Sequence, residues 1–170
     1  LWNLQFGCSR IVPKKRASGA PIDGVVVPAG IPELDEAVAL IKSLQADGLP
    51  YVSFKPGTVD QIRQVVRIAK AVAPTTIMVQ VEGGEAGGHH SWEALDDLLA
   101  ATYAEVRACD NLVLVAGGGT GTPERAADYI SGQWAHAYGL PDMPVDGVLI
   151  GTAAMTAKEA HTRPEDKQLL

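Results

Sequence analysis

Five short runs of β-branched and aliphatic residues punctuate this chain, and a segment of helical periodicity follows each of them. That alternation constrains the fold more than any other feature. The runs are Gly24 to Pro28, Tyr51 to Phe54, Thr76 to Val81, Leu112 to Ala116 and Gly147 to Ile150. Their short, continuous apolar character predicts parallel strands buried on both faces. Between them, Ile62, Val65, Val66, Ala69 and Val72 fall on one helical stripe, and Leu95, Leu98, Leu99, Thr102 and Val106 on another. Helix starts are marked as well. Thr58 followed by Gln61 has the capping-box spacing, Thr122-Pro123 sets a cap before a first-turn proline, and a helix over Pro32 to Gln45 opens with proline and Glu33.

Strand–helix units of roughly 25–35 residues mean a parallel α/β sheet. Periodicity leaves the architecture open between a free-standing doubly wound sheet and the last five strands of an eight-stranded barrel. Residues 1–22, with Asn3 to Lys15 at their centre, read as a leading helix or arm, and residues 23–170 as the βα body. The start at Leu1, without an initiator Met, is read as the mark of a fragment of a longer chain.

A net charge of −6 argues against nucleic acid as the main partner, and Lys14-Lys15-Arg16 reads as a solvated helix face. Hydrophobic content of 46% with 20% charged residues is that of a soluble globular protein. The apolar runs are too short for a membrane span, and the amino-terminal residues lack a signal-peptide layout. Cys8 and Cys109, with no CxxC spacing, read as free thiols in a reducing compartment, so a cytoplasmic location is expected.

In either architecture, ligands bind where strands end and helices begin. The unusual clusters of this sequence all fall at such junctions. Gly83-Gly84-Glu85-Ala86-Gly87-Gly88-His89-His90-Ser91 follows the third run, and its glycines would let backbone approach a flat ligand. Gly117-Gly118-Gly119-Thr120-Gly121-Thr122 follows the fourth and would suit an anionic phosphate. Gly151-Thr152 follows the fifth, and loops after the last two strands of a barrel commonly make a phosphate site together. Lys55, at the end of the second run, points its charge toward the same mouth. No metal-ligand spacing, GxSxG or GxxxxGK[ST] motif is present, and Cys109 reads as structural.

The chain resembles the enoyl reductase domain of type I fatty acid synthases, the actinobacterial and fungal megasynthases. The resemblance rests on Leu1-Trp2-Asn3-Leu4-Gln5, Phe54-Lys55-Pro56-Gly57-Thr58, Gly87-Gly88-His89-His90-Ser91, Gly117-Gly118-Gly119-Thr120-Gly121, Met143-Pro144-Val145-Asp146-Gly147 and Lys158-Glu159-Ala160. A more distant similarity, through Ala86-Gly87-Gly88-His89, is to nitronate monooxygenases. The resemblance implies a (β/α)8 TIM barrel holding FMN, with this chain supplying about strands four to eight. It implies reduction of the C2–C3 double bond of enoyl thioesters on acyl carrier protein, with NADPH or NADH as hydride donor. His89, His90 and Lys55 would then be catalytic, a histidine giving the proton and Lys55 supporting reduced flavin. Lys55, Glu82, Gly84, Ala86, Gly87, Gly88, Gly117, Gly118, Gly119, Gly151 and Thr152 would hold the cofactor. Other synthase domains and a homo-oligomeric parent are the implied partners, with no membrane and no nucleic acid. Three further readings stand beside it: a nitronate monooxygenase-like flavoprotein, a flavin-free phosphate-binding barrel, and an inactive structural fragment of the synthase, since five strands cannot close an eight-stranded barrel and open edges are sticky.

Overall fold

The computed structural model describes residues 9–28 and 30–168. Leu1 to Gln5 and Cys8, which the sequence reading used, lie outside them. Helix α1 (Ile11–Ala17) precedes β1 (Gly24–Val27), α2 (Leu34–Ala46), β2 (Tyr51–Phe54), α3 (Val59–Val72), β3 (Ile77–Glu82), α4 (Leu95–Arg107) and β4 (Leu112–Gly117). Then come α5 (Pro123–Ser131), a 3-10 helix (Gln133–Tyr138), β5 (Gly147–Leu149), α6 (Thr152–Met155) and α7 (Pro164–Lys167). Helix far outweighs strand. None of these helices is long and apolar enough to cross a membrane.

The strands sit where the apolar runs predict, with shifts of one residue at their ends that have local causes. β1 stops before Pro28, which has no N–H to give the ladder. β3 and β4 each run one residue further because Glu82 and Gly117 remain in register. At the start of α3, Thr58 Oγ1 accepts from Gln61 N at 3.2 Å, as the spacing predicts. The reciprocal bond falls one residue early, from Gly57 N to Gln61 Oε1 at 2.8 Å. Thr122 caps α5 in the same way, through Arg125 N. Helix α2 starts at Leu34 rather than Pro32, and Glu33 at its N-cap makes no side-chain capping bond.

All four strand pairings are parallel, in the order β1-β2-β3-β4-β5. The expected (β/α)8 TIM barrel is overturned here. β1 pairs with β2 and β5 with β4, and nothing among the described residues joins those two edges, so the sheet remains open. Five strands are too few to bend round and meet themselves. The sheet is not doubly wound either. Each right-handed crossover steps the same way along the sheet, which places the connecting helices on one face. There α2, α3 and α4 pack side by side.

The core lies between that helical layer and one sheet face. Val27, Val52, Phe54, Ile77, Val79, Val81, Leu112, Leu114 and Ala116 point into it and are buried. They meet Ala37, Leu40, Ile41 and Leu44 of α2, Ile62, Val65 and Ala69 of α3, and Leu95, Leu98 and Leu99 of α4. Alternate residues point the other way, where Ser53, Gln80 and Glu82 are buried but several large apolar side chains stay partly open. Val26, Tyr51, Met78 and Leu149 are 45%, 59%, 37% and 42% exposed on that side. The register runs Val26, Ser53, Met78, Val113 across four strands, so this is a continuous strip. Within it the Ser53 hydroxyl is buried without a hydrogen-bond partner.

The foot of the sheet is held by Asp146. Its Oδ2 accepts from Leu114 N at 2.7 Å and from Arg107 Nη1 at 2.8 Å. Burial by itself would raise the Asp146 pKa. The Arg107 and Leu114 donors outweigh that and hold the carboxyl below its ordinary value.

Two outcomes follow for stability. Leu98→Ala, at a fully buried site of the α4 stripe, should cost about 2–5 kcal/mol in urea denaturation. Because the folded pKa of Asp146 is depressed, its contribution is full above the unfolded value and fades as pH falls through the folded one. Denaturation midpoints of the wild type and Asp146→Asn should therefore differ at pH 6 and draw together below about pH 4; a gap that widens on acidification would contradict this role.

Candidate functional site

The clusters singled out in the sequence do converge, at the carboxyl ends of β2 to β5. A cavity of about 650 Å³ opens there, bounded by the β3–α4, β4–α5 and β5–α6 loops. Glu82, Ala86, Gly87, Gly88, Gly118, Gly119, Gly151 and Thr152 of the predicted set line it. Thr120 Oγ1 donates to Leu149 O at 2.6 Å, which ties the fourth loop to the end of β5. Gly118 and Gly119 have φ of +98° and +68°, where a side chain is strained, and a Cβ on Gly119 would collide with the Glu85 carboxylate. In the preceding loop only Gly88 has positive φ, while Gly83 is required because Leu95 lies against it.

A second cavity of about 160 Å³ adjoins the first and shares Glu82 with it. Lys55, His89, His90 and Ser91 line it. Lys55 Nζ lies 2.7 Å from Glu82 Oε2, with side chains 18% and 4% exposed. The other Glu82 oxygen accepts from Gln80 Nε2 at 2.5 Å. Ser91 Oγ donates to Gly57 O at 2.5 Å and accepts from Glu93 N at 2.9 Å, locking the loop to the end of β2. His89 and His90 are exposed, and His90 Nδ1 lies 2.7 Å from Gly88 O. Of the remaining predicted residues, Gly84 lines a third cavity and Gly117 stays in the ladder opposite Glu82.

The charges at this rim run against the chemistry expected of it. The large cavity carries two carboxylates, Glu82 and Glu85, and no lysine, arginine or histidine among its lining residues. Lys55 neutralises Glu82, but Glu85 has no ion-pair partner among the described residues, so a phosphate placed there would meet an uncompensated carboxylate. Lys55, which lines the adjoining cavity, is held by that pair. Helix α6, expected to offer its start at Gly151-Thr152, is a single turn of four residues. FMN therefore does not fit the residues present, and the open sheet lacks the barrel that was to enclose it. With FMN goes the NAD(P)H hydride donor implied beside it. Among the described residues no group of three His, Cys, Asp or Glu side chains could hold a metal ion.

Sequence reasoning missed Gln80, whose signal was available: Gln80 and Glu82 are polar at i and i+2 of an otherwise apolar strand, so both face one side. It also missed the group formed by Tyr129, Asp96 and Arg125. The buried Tyr129 hydroxyl donates to Asp96 Oδ1 at 2.5 Å and accepts from Arg125 Nη2 at 2.8 Å. Burial first, and the Asp96 bond second, hold this phenol far above its ordinary pKa, so it stays protonated. Cys109 is buried and free, with Sγ 3.8 Å from Glu105 O, which is a packing role.

Lys55→Met should expose the worth of the strand-tip pair, because it leaves Glu82 buried beside Gln80 alone. A loss of about 2–4 kcal/mol in denaturant unfolding is expected. Lys55→Met/Glu82→Gln should lose less than the sum of the single variants; strict additivity would mean that the pair does not couple.

A family model described as "Fatty acid synthase subunit beta/Fas1-like, helical" matches residues 76–170, more than half of the chain. Among curated proteins, the chain is 52% identical over 152 residues to fatty acid synthase 2 of Mycosarcoma maydis, which covers 89% of this chain and 4% of that protein. It is 46% identical over 154 residues to the fatty acid synthase beta subunit pigK of Monascus ruber, covering 91% and 8%. It is 45% identical over 154 residues to the fatty acid synthase subunit beta of Schizosaccharomyces pombe, covering 91% and 7%. The chain thus spans less than a tenth of the length of these relatives. The matching description is of a helical region. It overturns assignment to the FMN-binding enoyl reductase domain and to enoyl reductase activity, and removes the flavin barrel on which the nitronate monooxygenase-like alternative also rested. With that match over more than half its length and identities of 45–52% to these three proteins, the chain belongs to the fatty acid synthase subunit beta/Fas1-like, helical family.

Proposed function

We propose that this chain is a non-catalytic structural segment of a fatty acid synthase β subunit, working in the cytoplasm, whose bare sheet face packs on other parts of the same polypeptide. One observation carries the reading. The sheet is wholly parallel, yet helices cover one of its faces and leave Val26, Tyr51, Met78 and Leu149 exposed on the other. Parallel sheets are stable when both faces are covered. About half of each side chain remains to be buried, worth roughly 1 kcal/mol apiece, so the face gains from a cover. Family membership supports a covering surface within a synthase subunit many times longer than this chain. The free, buried thiol of Cys109 suits a reducing compartment. The closed Lys55–Glu82 pair and the solvated histidines support a structural role over catalysis at the strand tips.

The test uses the full-length polypeptide. Val26→Asp/Met78→Asp should reduce the yield of assembled synthase about tenfold or more, through charge buried at the proposed contact. His89→Gln/His90→Gln should leave synthase turnover within about twofold. Normal assembly of the first variant would contradict the packing role, and loss of turnover by about 100-fold in the second would contradict the non-catalytic one.

A further inference from the structure

Trp92 is 98% exposed, the most exposed large apolar side chain of the described residues. Its exposure is held in place by the backbone on either side. Ser91 is buried and bonded to Gly57 O and Glu93 N, and Gly84 N donates to Glu93 O at 2.9 Å. The indole therefore projects from a fixed turn, and its exposure does not come from a loose one. An aromatic side chain presented in this way has large contact area at low entropic cost, as at the centre of protein interfaces.

Beside it lies a cavity of about 330 Å³, lined among others by Glu85, Glu93, Asp96, Arg125 and Tyr129. Arg125 is directed inward, 2.8 Å from the Tyr129 hydroxyl and 3.7 Å from Asp96. Glu85 and Glu93 have no ion-pair partner among the described residues. Three carboxylates against one guanidinium leave the hollow negative, in a chain whose net charge is −6. Anionic ligands are repelled from it. An ammonium or guanidinium group would find both an indole face and carboxylates within one hollow.

We propose that Trp92, with Glu85 and Glu93, is a docking site for a lysine- or arginine-bearing segment of a protein partner. The site is separate from the bare sheet face and does not depend on what covers that face. It uses cation–π contact for the aliphatic and charged parts of one basic side chain, with the carboxylates selecting its sign.

The experiment places the photo-crosslinker p-benzoylphenylalanine at position 94 of the full-length polypeptide, since Ala94 is exposed and lines the same hollow. After irradiation, the joined peptide is identified by mass spectrometry. The expected adduct carries a lysine or arginine within a few residues of the joined atom. Its yield should fall about tenfold in Trp92→Ala, and about fivefold in Glu85→Gln/Glu93→Gln or in about 0.5 M salt. Trp92→Phe should retain most of it. All these side chains are solvent-facing, so an unchanged circular dichroism melt will show that each variant still folds. Absence of an adduct, an adduct on a segment lacking basic residues, or a yield indifferent to Trp92→Ala would each overturn the proposal.

Discussion

The direction of the crossovers governs this structure. Each parallel strand is laid beside the one before it, always on the same side, and a right-handed connection then has one place to put its helix. Helices α2 to α4 consequently share one face, and the apolar side chains of the five strands divide into two populations. Val52, Phe54, Val79 and Leu114 are sealed under helix, while Val26, Tyr51 and Met78 stand in the open. The same residue types thus have opposite fates according to strand parity alone. That asymmetry is what the proposed structural role of the chain rests on.

The strand tips illustrate how similar sequence features can serve different ends. Glycine-dense loops at consecutive strand ends are what a phosphate or ring ligand requires, and the loops do meet at one rim. Their glycines nevertheless have local reasons. Gly83 makes room for the start of α4, and Gly119 takes a φ of +68° that would strain a side chain. Glu85, with no ion-pair partner among the described residues, sets the sign of the cavity. Lys55, which would have been the natural counter-ion for a phosphate, instead closes an ion pair between adjacent strands, braced by Gln80. Such a pair joins the end of β2 to the end of β3 at the rim.

Much of the local structure was legible in the residues. Tyr51 to Phe54 is a strand, Thr58 and Thr122 are caps, and the stripes on α3 and α4 are core because their periods leave no alternative. Closure was not legible, since it depends on whether the first and last strands pair, and no side-chain period encodes that. The face on which helices lie was hidden for the same reason: a continuous apolar run looks alike whether one side or both are covered. At the rim, the convergence of Gly87, Gly118 and Gly151 could be anticipated from strand order. Glu82 could be named as a lining residue, but not its partnership with Lys55: the register pairs Phe54 with Val79, so the lysine reaches along β3 to the glutamate.

The most direct test of this account is hydroxyl-radical footprinting at Tyr51 and Met78, in the chain alone and in the full-length polypeptide. Both side chains are 37% exposed or more on the uncovered face. The account predicts that their modification rates fall at least about fivefold in the longer protein, while that of the core residue Phe54 stays low in both. Equal rates for Tyr51 and Met78 in the two contexts would mean that the face is solvated in the mature protein, and the structural role would fail.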